Sequence, residues 1–440
     1  MVNTAIDSLQ PSTKPDSVLT KEGQIDVKDD LDTFFDEFIS SEPIFQDKSI
    51  LQSNYEPTKI QHRDEYLKDL AQMLAPALRM ERPSNVFIYG KTGTGKTLCV
   101  NHIVSKMRNI ASAREIPLKF VTINCKLKRV ADTEYRMLLE ILKAFGIERK
   151  DTGHSTNELY KDLYKILDEE KKTVILVLDE IDSLIQKAGD EVLYNLTRIN
   201  PELHHSDMCI VGITNDLTVM DNVDARVKSS LNEEEIVFIP YNATQIQDIL
   251  QERAEMAFRE NVLDQEVIPR CAAYMAREHG DVRRALELLK FAGEIAEREG
   301  SKYVIPMHID KADKKTERNR IIDIIKSQPK QFQLVTYSII KTSMKEKHNL
   351  VTNKKSQMIE PTTTGAVYDY YNKIAKDLRL QSLTLRRISD IIVELDVLGI
   401  INVKIVSKGR YGRTRYISIG LPKSLYKEVL DILKEDLCLD

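Results

Sequence analysis

Gly90-Lys91-Thr92-Gly93-Thr94-Gly95-Lys96-Thr97 packs three glycines, two lysines and three threonines into eight residues, between the apolar run Asn85–Tyr89 and a helical pattern starting near Gly95. This is the GxxxxGK[ST] spacing of a phosphate cradle, in the strand–loop–helix setting that the motif requires. The glycines let backbone N–H groups curl around phosphate oxygens at a helix N-terminus, Lys96 would neutralise the β and γ oxygens, and the Thr97 hydroxyl could ligate Mg2+. Further on, Thr173-Val-Ile-Leu-Val-Leu178 runs into Asp179-Glu180, a buried strand ending in two acids. Asp179 would hold Mg2+ through water, and Glu180 would orient or deprotonate the attacking water. A third run, Met208–Ile213, ends in Thr214-Asn215-Asp216. Asn215 is placed to contact the γ-phosphate or the lytic water, although an Asn ending a strand is also a common turn residue. The chemistry that these groups imply is hydrolysis of a nucleoside triphosphate, with ATP or ADP and Mg2+ as the bound species.

These groups need a frame to hold them. Apolar runs at Asn85–Tyr89, Lys119–Asn124, Thr173–Leu178 and Met208–Ile213 alternate with helical patterns from Gly95, within Thr133–Phe145 and in Thr156–Glu169. Such alternation predicts a parallel sheet covered on both faces, with its ligands at the carboxyl ends of the strands. A further strand, Glu235–Ile239, closes at Pro240, and Arg63–Leu78 has a helical stripe of Tyr66, Leu67, Leu70, Met73, Leu74 and Leu78. From Thr244 to about Ile325 the patterns are all helical: Gln245–Phe258, near Val267–His279, Val282–Glu299 and Met307–Ile325. The expected division is a disordered tail over 1–32, a nucleotide-binding domain over 33–240, a helical domain over 241–325 and a last domain over 326–440.

The net charge of −4 argues by itself against a nucleic-acid binder, but it hides an asymmetry. From Lys326 onward there are 20 Lys and Arg against 12 Asp and Glu, a balance of +8, so the first 325 residues carry −12. A basic module attached to an acidic body is the pattern of a specialised anion-binding domain. Within it, Leu385, Ile388, Ile391, Ile392, Leu395 and Leu398 share one helix face, with Thr384 as N-cap and Gly399 as terminator. That leaves Arg386 and Arg387 outward at the start of the helix. Two β-prone runs follow, Ile401–Val406 and Thr414–Ile419, joined by Ser407-Lys408-Gly409-Arg410-Tyr411-Gly412-Arg413. Between Val397 and Lys427 there are seven Lys or Arg and no acid. With helical patterns at Gln331–Lys345 and Thr364–Leu378 before it, this is a winged-helix pattern, in which Arg386, Arg387, Lys408, Arg410, Tyr411 and Arg413 would face DNA. Winged helices also serve protein contacts; glycines beside Arg410 and Arg413 permit the close backbone approach that favours DNA.

No apolar run reaches the roughly 18 residues of a membrane helix, and the opening residues lack the pattern of a secretory signal. The expected setting is cytoplasmic and nucleoid-associated. Cys99, Cys125, Cys209, Cys271 and Cys438 lack CxxC spacing, so neither a zinc site nor a disulfide framework is expected.

The phosphate loop, the Asp179-Glu180 pair, the strand ending at Asn215 and Gly280-Asp281-Val282-Arg283-Arg284-Ala285-Leu286 in a helical lid together resemble the AAA+ layout. That resemblance gives Arg283 the role of the lid arginine that reaches nucleotide, with Arg284 as the alternative. Asp224-Ala225-Arg226-Val227-Lys228-Ser229-Ser230-Leu231 resembles the family's arginine-finger segment, with Arg226 as the finger. A finger is worth roughly 10³–10⁵ in rate, so a lone copy unable to supply its own would hydrolyse slowly. Residues 388–401 and 407–414, with 83–97, 226–231 and Pro57 before His62-Arg63, are similar to archaeal origin-recognition initiators of the Orc/Cdc type, over roughly Phe45 to Leu433. The resemblance implies an α/β P-loop AAA+ parallel sheet with an all-helical lid and a C-terminal winged helix. It also implies origin double-stranded DNA as ligand, recruitment of the replicative helicase, and other initiator copies as neighbours on DNA. These initiators grip DNA with a second segment after the second strand, which here contains Lys126, Lys128, Arg129 and Tyr135. Two other readings of the same parts are an ATP-dependent transcription regulator and a helicase- or clamp-loading ATPase; the first usually carries sensor repeats, and the second has no need of the Arg410/Arg413 wing.

Overall fold

The structure is a computed structural model that describes residues 35, 39, 42–127, 133–149, 153–219, 223–231, 233–277, 280–349, 354–359, 361–407 and 413–439. Five strands form the central parallel sheet: β1 (Asn85–Gly90), β2 (Leu118–Asn124), β3 (Thr173–Asp179), β4 (Asp207–Thr214) and β5 (Glu233–Phe238), in the order β2-β3-β4-β1-β5. Alternation along each strand sends side chains to two separate cores. Val86, Ile88, Ile175, Val177, Val211 and Ile213 pack with α1 (Asp64–Leu74) and α2 (Lys96–Ala113). Phe87, Tyr89, Leu176, Leu178 and Ile210 pack on the opposite face with α3 (Glu134–Ala144), α4 (Thr156–Asp168), α5 (Ile181–Ala188) and α6 (Glu191–Thr197). At Gly212 the sheet has no room for more, because a Cβ there would lie 2.8 Å from the Phe87 ring. A short α7 (Ala225–Leu231) precedes β5, which starts two residues earlier than its apolar content predicts, because Glu233 and Glu234 pair with Asn85 and Val86 of β1.

Four helices form the lid: α8 (Ala243–Ala257), α9 (Val267–Arg277), α10 (Val282–Arg298) and the start of α11 (Pro306–Ser327). Asn242 and Gln245 cap α8 reciprocally, satisfying two N–H groups that the helix leaves orphaned. A strap from Ile44 to Leu51 lies across these helices; Phe45 stacks on Phe258 at 4.6 Å over Gly293, where any Cβ would meet the Phe45 ring. The 22-residue α11 then leaves the lid. Its first turns contribute Ile309 and Ala312 to the lid core, whereas Ile325 near its end belongs to the next one.

That last core joins α12 (Lys330–Ser343), α13 (Thr364–Asp377), α14 (Leu385–Val397) and α15 (Tyr426–Leu437) to a small sheet of β8 (Thr362–Thr363), β10 (Arg413–Ile419) and β9 (Ile401–Ser407). The helix expected over Gln331–Lys345 ends at Ser343. The chain then turns into β6 (Met344–Asn349), paired antiparallel with β7 (Lys354–Ile359). This ribbon is rich in Lys and has no apolar stripe, and Met344 at its start packs on the C-terminal core.

Candidate functional site

The register sets the carboxyl ends of β1, β3 and β4 side by side, with Tyr89 opposite Thr214 and Asp179 opposite Ile213. The phosphate loop leaves β1 there, and Gly90, Gly93 and Gly95 all take positive φ. At Gly90 a Cβ would lie 2.7 Å from the Phe238 carbonyl, so the loop tolerates no side chain there. Lys96 folds back into the loop: its Nζ donates to the carbonyls of Gly90 and Lys91 at 2.6 and 2.9 Å, and to Asn215 Oδ1 at 2.8 Å. Burial pulls the Lys96 ammonium down to about 8, against the pull of Asp179. Thr97 Oγ1 donates to the Asp179 carboxylate at 3.2–3.3 Å. Burial raises the Asp179 carboxyl, and this hydrogen bond opposes the rise. A buried cation and a half-buried carboxylate are thus each held at a cost, which a polyphosphate with a divalent cation would relieve. The donor set fits Mg2+: a hydroxyl and a carboxylate, both hard oxygen ligands, beside a lysine able to neutralise phosphate.

Glu180 occupies the left-handed backbone region, φ 54° and ψ 48°, at the N-cap of α5. Strain of this kind costs on the order of 1–3 kcal/mol and collects at functional sites. Its Oε2 lies 3.2 Å from Lys126 Nζ. A cavity of about 120 Å³ is lined by the loop from Thr92 to Thr97, by Asn124, Asp179, Glu180 and Asn215, and by Arg283 from the lid. Arg283, not Arg284, lines it. The lid reaches the loop directly, since Val282 N–H points at the Gly93 carbonyl at 3.4 Å, and a Cβ on Gly93 would lie 1.9 Å from Asp281 Oδ1. Asp281 in turn caps α10 by accepting from the backbone N–H groups of Arg283 and Arg284. Arg226 lines no cavity in this cleft; it is highly exposed on α7 and bound twice by Asp224, at 3.0 and 3.1 Å.

Sequence reasoning missed the connecting stretch Gln52–Arg63. It forms one wall of a second cavity, about 320 Å³, which continues from Gly93, Gly95 and Thr97 toward Ile249 and Leu286 of the lid. Arg63, buried, donates to the carbonyls of Thr94, Ile239 and His62, and its guanidinium lies 3.6 Å from the Tyr241 ring centre. One side chain thus ties the phosphate loop to the end of β5 and the entrance of the lid. The only sequence signal was the resemblance at His62-Arg63, because the stretch has no periodicity.

In the C-terminal domain Thr384 caps α14, accepting from Arg387 N–H at 3.4 Å, and Ile388, Ile391, Ile392 and Leu395 are buried beneath it. Arg386 and Arg387 are exposed. Arg387 has a long 3.5 Å contact with Glu394, and Arg415 of β10 donates to the Ser389 carbonyl at 3.3 Å, fastening the hairpin to the helix. Of the other expected DNA contacts, Lys408, Arg410, Tyr411 and Arg129 lie outside the described residues, as does the tail over 1–32, and Arg413 is described only as the first backbone position of β10.

Comparison with known proteins matches this geometry segment by segment. The family model for an AAA domain covers residues 79–217, the Cdc6 AAA+ ATPase-type lid domain covers 247–314, and the CDC6 C-terminal winged helix domain covers 323–429. An ORC1-type DNA replication protein of Pyrococcus furiosus is 46% identical over 413 residues, which is 93% of this chain and 94% of that protein. The ORC1-type DNA replication protein 1 of Sulfolobus acidocaldarius is 44% identical over 89% of this chain and 93% of its own length. Among solved structures, the Aeropyrum pernix ORC1 protein in complex with DNA superposes with a TM-score of 0.75 at 41% identity, covering 90% of this chain and 98% of that one. With sheet, lid and winged helix all accounted for over about nine-tenths of its length, the chain belongs to the archaeal ORC1/Cdc6 family of replication initiators, AAA+ ATPases that end in a winged helix.

Proposed function

We propose that this chain binds origin double-stranded DNA under the control of its nucleotide, hydrolyses ATP slowly as a switch, and helps recruit the replicative helicase. The observation that carries the reading is the contact of the phosphate loop with the lid at Gly93, Asp281 and Val282, together with the passage of α11 from lid core to winged-helix core. Nucleotide state can therefore bias the lid, and the lid can bias the DNA-binding end.

In the cleft, the backbone from Gly90 to Gly95 wraps the phosphates, Lys96 exchanges its carbonyl partners for β and γ oxygens, and Arg283 approaches from the lid. When bound, Mg2+ supplies charge neutralisation at the phosphates, with Thr97 and Asp179 as its holders. Glu180 orients and deprotonates water once released from Lys126, and Asn215 positions the γ-phosphate side. Arg226 serves a neighbouring copy, which accounts for slow turnover by a single one. On DNA, Arg386 and Arg387 enter the major groove, Lys408, Arg410, Tyr411 and Arg413 follow backbone or minor groove, and Arg129 adds a second grip from the ATPase domain. The work is done in the cytoplasm at the nucleoid. A footprint on genomic origin DNA, with ATP, ADP and the Lys96→Ala variant, tests the reading. Protection of a discrete site that changes with nucleotide supports it; protection that is uniform along the DNA, or indifferent to nucleotide, overturns it.

A further inference from the structure

We infer that Asp182 is a positioning residue for hydrolysis: through the buried Thr214 hydroxyl it fixes the place of Asn215 relative to Glu180, the two groups assigned to the γ-phosphate side and to the lytic water. This rests on the reading of the cleft as a site that hydrolyses ATP.

Asp182 and Thr214 line neither cavity of the cleft, so any effect they have on turnover passes through a neighbour. Asp182 lies in the first turn of α5, two residues after Glu180 at the N-cap; Thr214 is the last residue of β4, directly before Asn215. The Thr214 side chain is buried, and a buried hydroxyl needs partners for its proton and its lone pairs. It accepts from the Asp216 N–H at 3.0 Å. Its proton has the Asp182 carboxylate at 3.0 Å and the Asp216 carbonyl at 3.4 Å; the nearer, charged acceptor takes it. The first bond closes a turn over Thr214, Asn215 and Asp216, and the second ties that turn to α5. Asn215 Oδ1 is thereby held 2.8 Å from Lys96 Nζ. At the other end of the tie stands Glu180, whose left-handed backbone persists only where its surroundings over-determine it. The bond from Asp182 to Thr214 is one such restraint. Without it β3 and β4 still pair along their whole length, so the sheet and phosphate loop should survive while Glu180 and Asn215 lose their fixed spacing.

The competing role for Asp182 is purely electrostatic. Burial depresses the Lys96 ammonium, and Asp179 is the chief charge opposing this, with Asp182 a lesser one. That role needs the charge itself, whereas positioning needs only an acceptor in the same place.

The test uses the full chain in single-turnover hydrolysis at saturating ATP, with ATP affinity measured alongside. Asp182→Ala should lower the rate about 10–10²-fold, the cost of a small misplacement of reacting groups, and leave ATP affinity within about threefold of wild type. Asp182→Asn keeps an acceptor but not the charge, and should recover most of the lost rate. Thr214→Val keeps the shape but not the hydroxyl, and should match Asp182→Ala; the double variant should be no slower than the slower single, because both remove one bond. An undiminished rate in Asp182→Ala overturns the inference, as does Asp182→Asn being as slow as Asp182→Ala, or losses that multiply in the double variant. A fall in ATP affinity as large as the fall in rate also overturns it, since the damage would then be general. Should Asp182→Ala fail to fold, Thr214→Val carries the same expectation, and an undiminished rate there is equally fatal. Each of these leaves the ATPase site standing; wild type that binds or hydrolyses no ATP overturns that reading as well.

Discussion

At the phosphate pocket a buried Lys96 is held by three oxygens and three glycines at positive φ leave the loop little freedom, whereas at the start of α14 Arg386 and Arg387 are exposed, Arg387 having a long contact to Glu394 and lying 6.0 Å from the Phe332 ring centre. The first region has its charges desolvated and placed before any ligand arrives. The second keeps them hydrated and movable. Preorganisation suits chemistry, in which a misplaced group costs orders of magnitude; mobile surface charge suits a polyanion, whose grip is set by counterion release. Each half of this contrast can be broken separately.

The largest effect is expected at Glu180. Glu180→Gln should slow turnover by about 10²–10⁴-fold, the usual worth of a positioned base, with ATP affinity nearly unchanged; undiminished single-turnover hydrolysis would remove Glu180 from the chemistry. Next comes Arg63, where a Leu substitution leaves carbonyls of two distant segments without their charged donor. At about 1.5–3 kcal/mol for such a bond, unfolding free energy should fall by about 3 kcal/mol, read as denaturant midpoint, and a midpoint equal to wild type would show the hub to be dispensable. On the DNA side, Arg386→Ala with Arg387→Ala should flatten the slope of log affinity against log salt by about 2, and weaken binding roughly tenfold. An unaltered slope would place the phosphate contacts elsewhere. The smallest effect concerns pH. In the free protein Lys96 is protonated below about 8; phosphate favours the charged form, so above that pH binding must take up a proton. ATP affinity should therefore be level below pH 8 and fall toward about tenfold per unit above it. A flat profile to pH 9.5 would mean that Lys96 does not govern the pocket.

The same contrast explains what could be read from the chain alone. Groups expected to face phosphate or its metal are consecutive, from Gly90 to Thr97, or lie at the ends of apolar strands, as Asp179 does and Asn215 just past β4, and the sheet brings such ends together whatever the helices between them. The fold class and the winged helix were equally legible, because Ile388, Ile391, Ile392 and Leu395 recur at helical spacing before two β-prone runs. The Gln52–Arg63 wall was not. Its residues act through oxygens contributed by Thr94 and Ile239, segments joined only by folding. The β6–β7 ribbon escaped because Lys345, Lys347 and Lys355 give no apolar alternation; it is defined by its antiparallel register, with Met344 at its start packed on the C-terminal core. The α15 pattern of Tyr426, Val429, Leu430, Leu433 and Leu437 was present in the sequence but overlooked beside the basic hairpin.

The 22 residues of α11 make a rod about 33 Å long, anchored by Ile309 and Ala312 at one end and Ile325 at the other, with Arg318 clasping Glu428 of α15 on the way. Rods multiply angles. A tilt of roughly 10° at the anchored lid would sweep the far end by about 6 Å, close to two base-pair steps along a duplex at about 3.4 Å each. A tilt of the lid beside Gly93 would thereby be enlarged, at the far end of the rod, toward the spacing of base pairs.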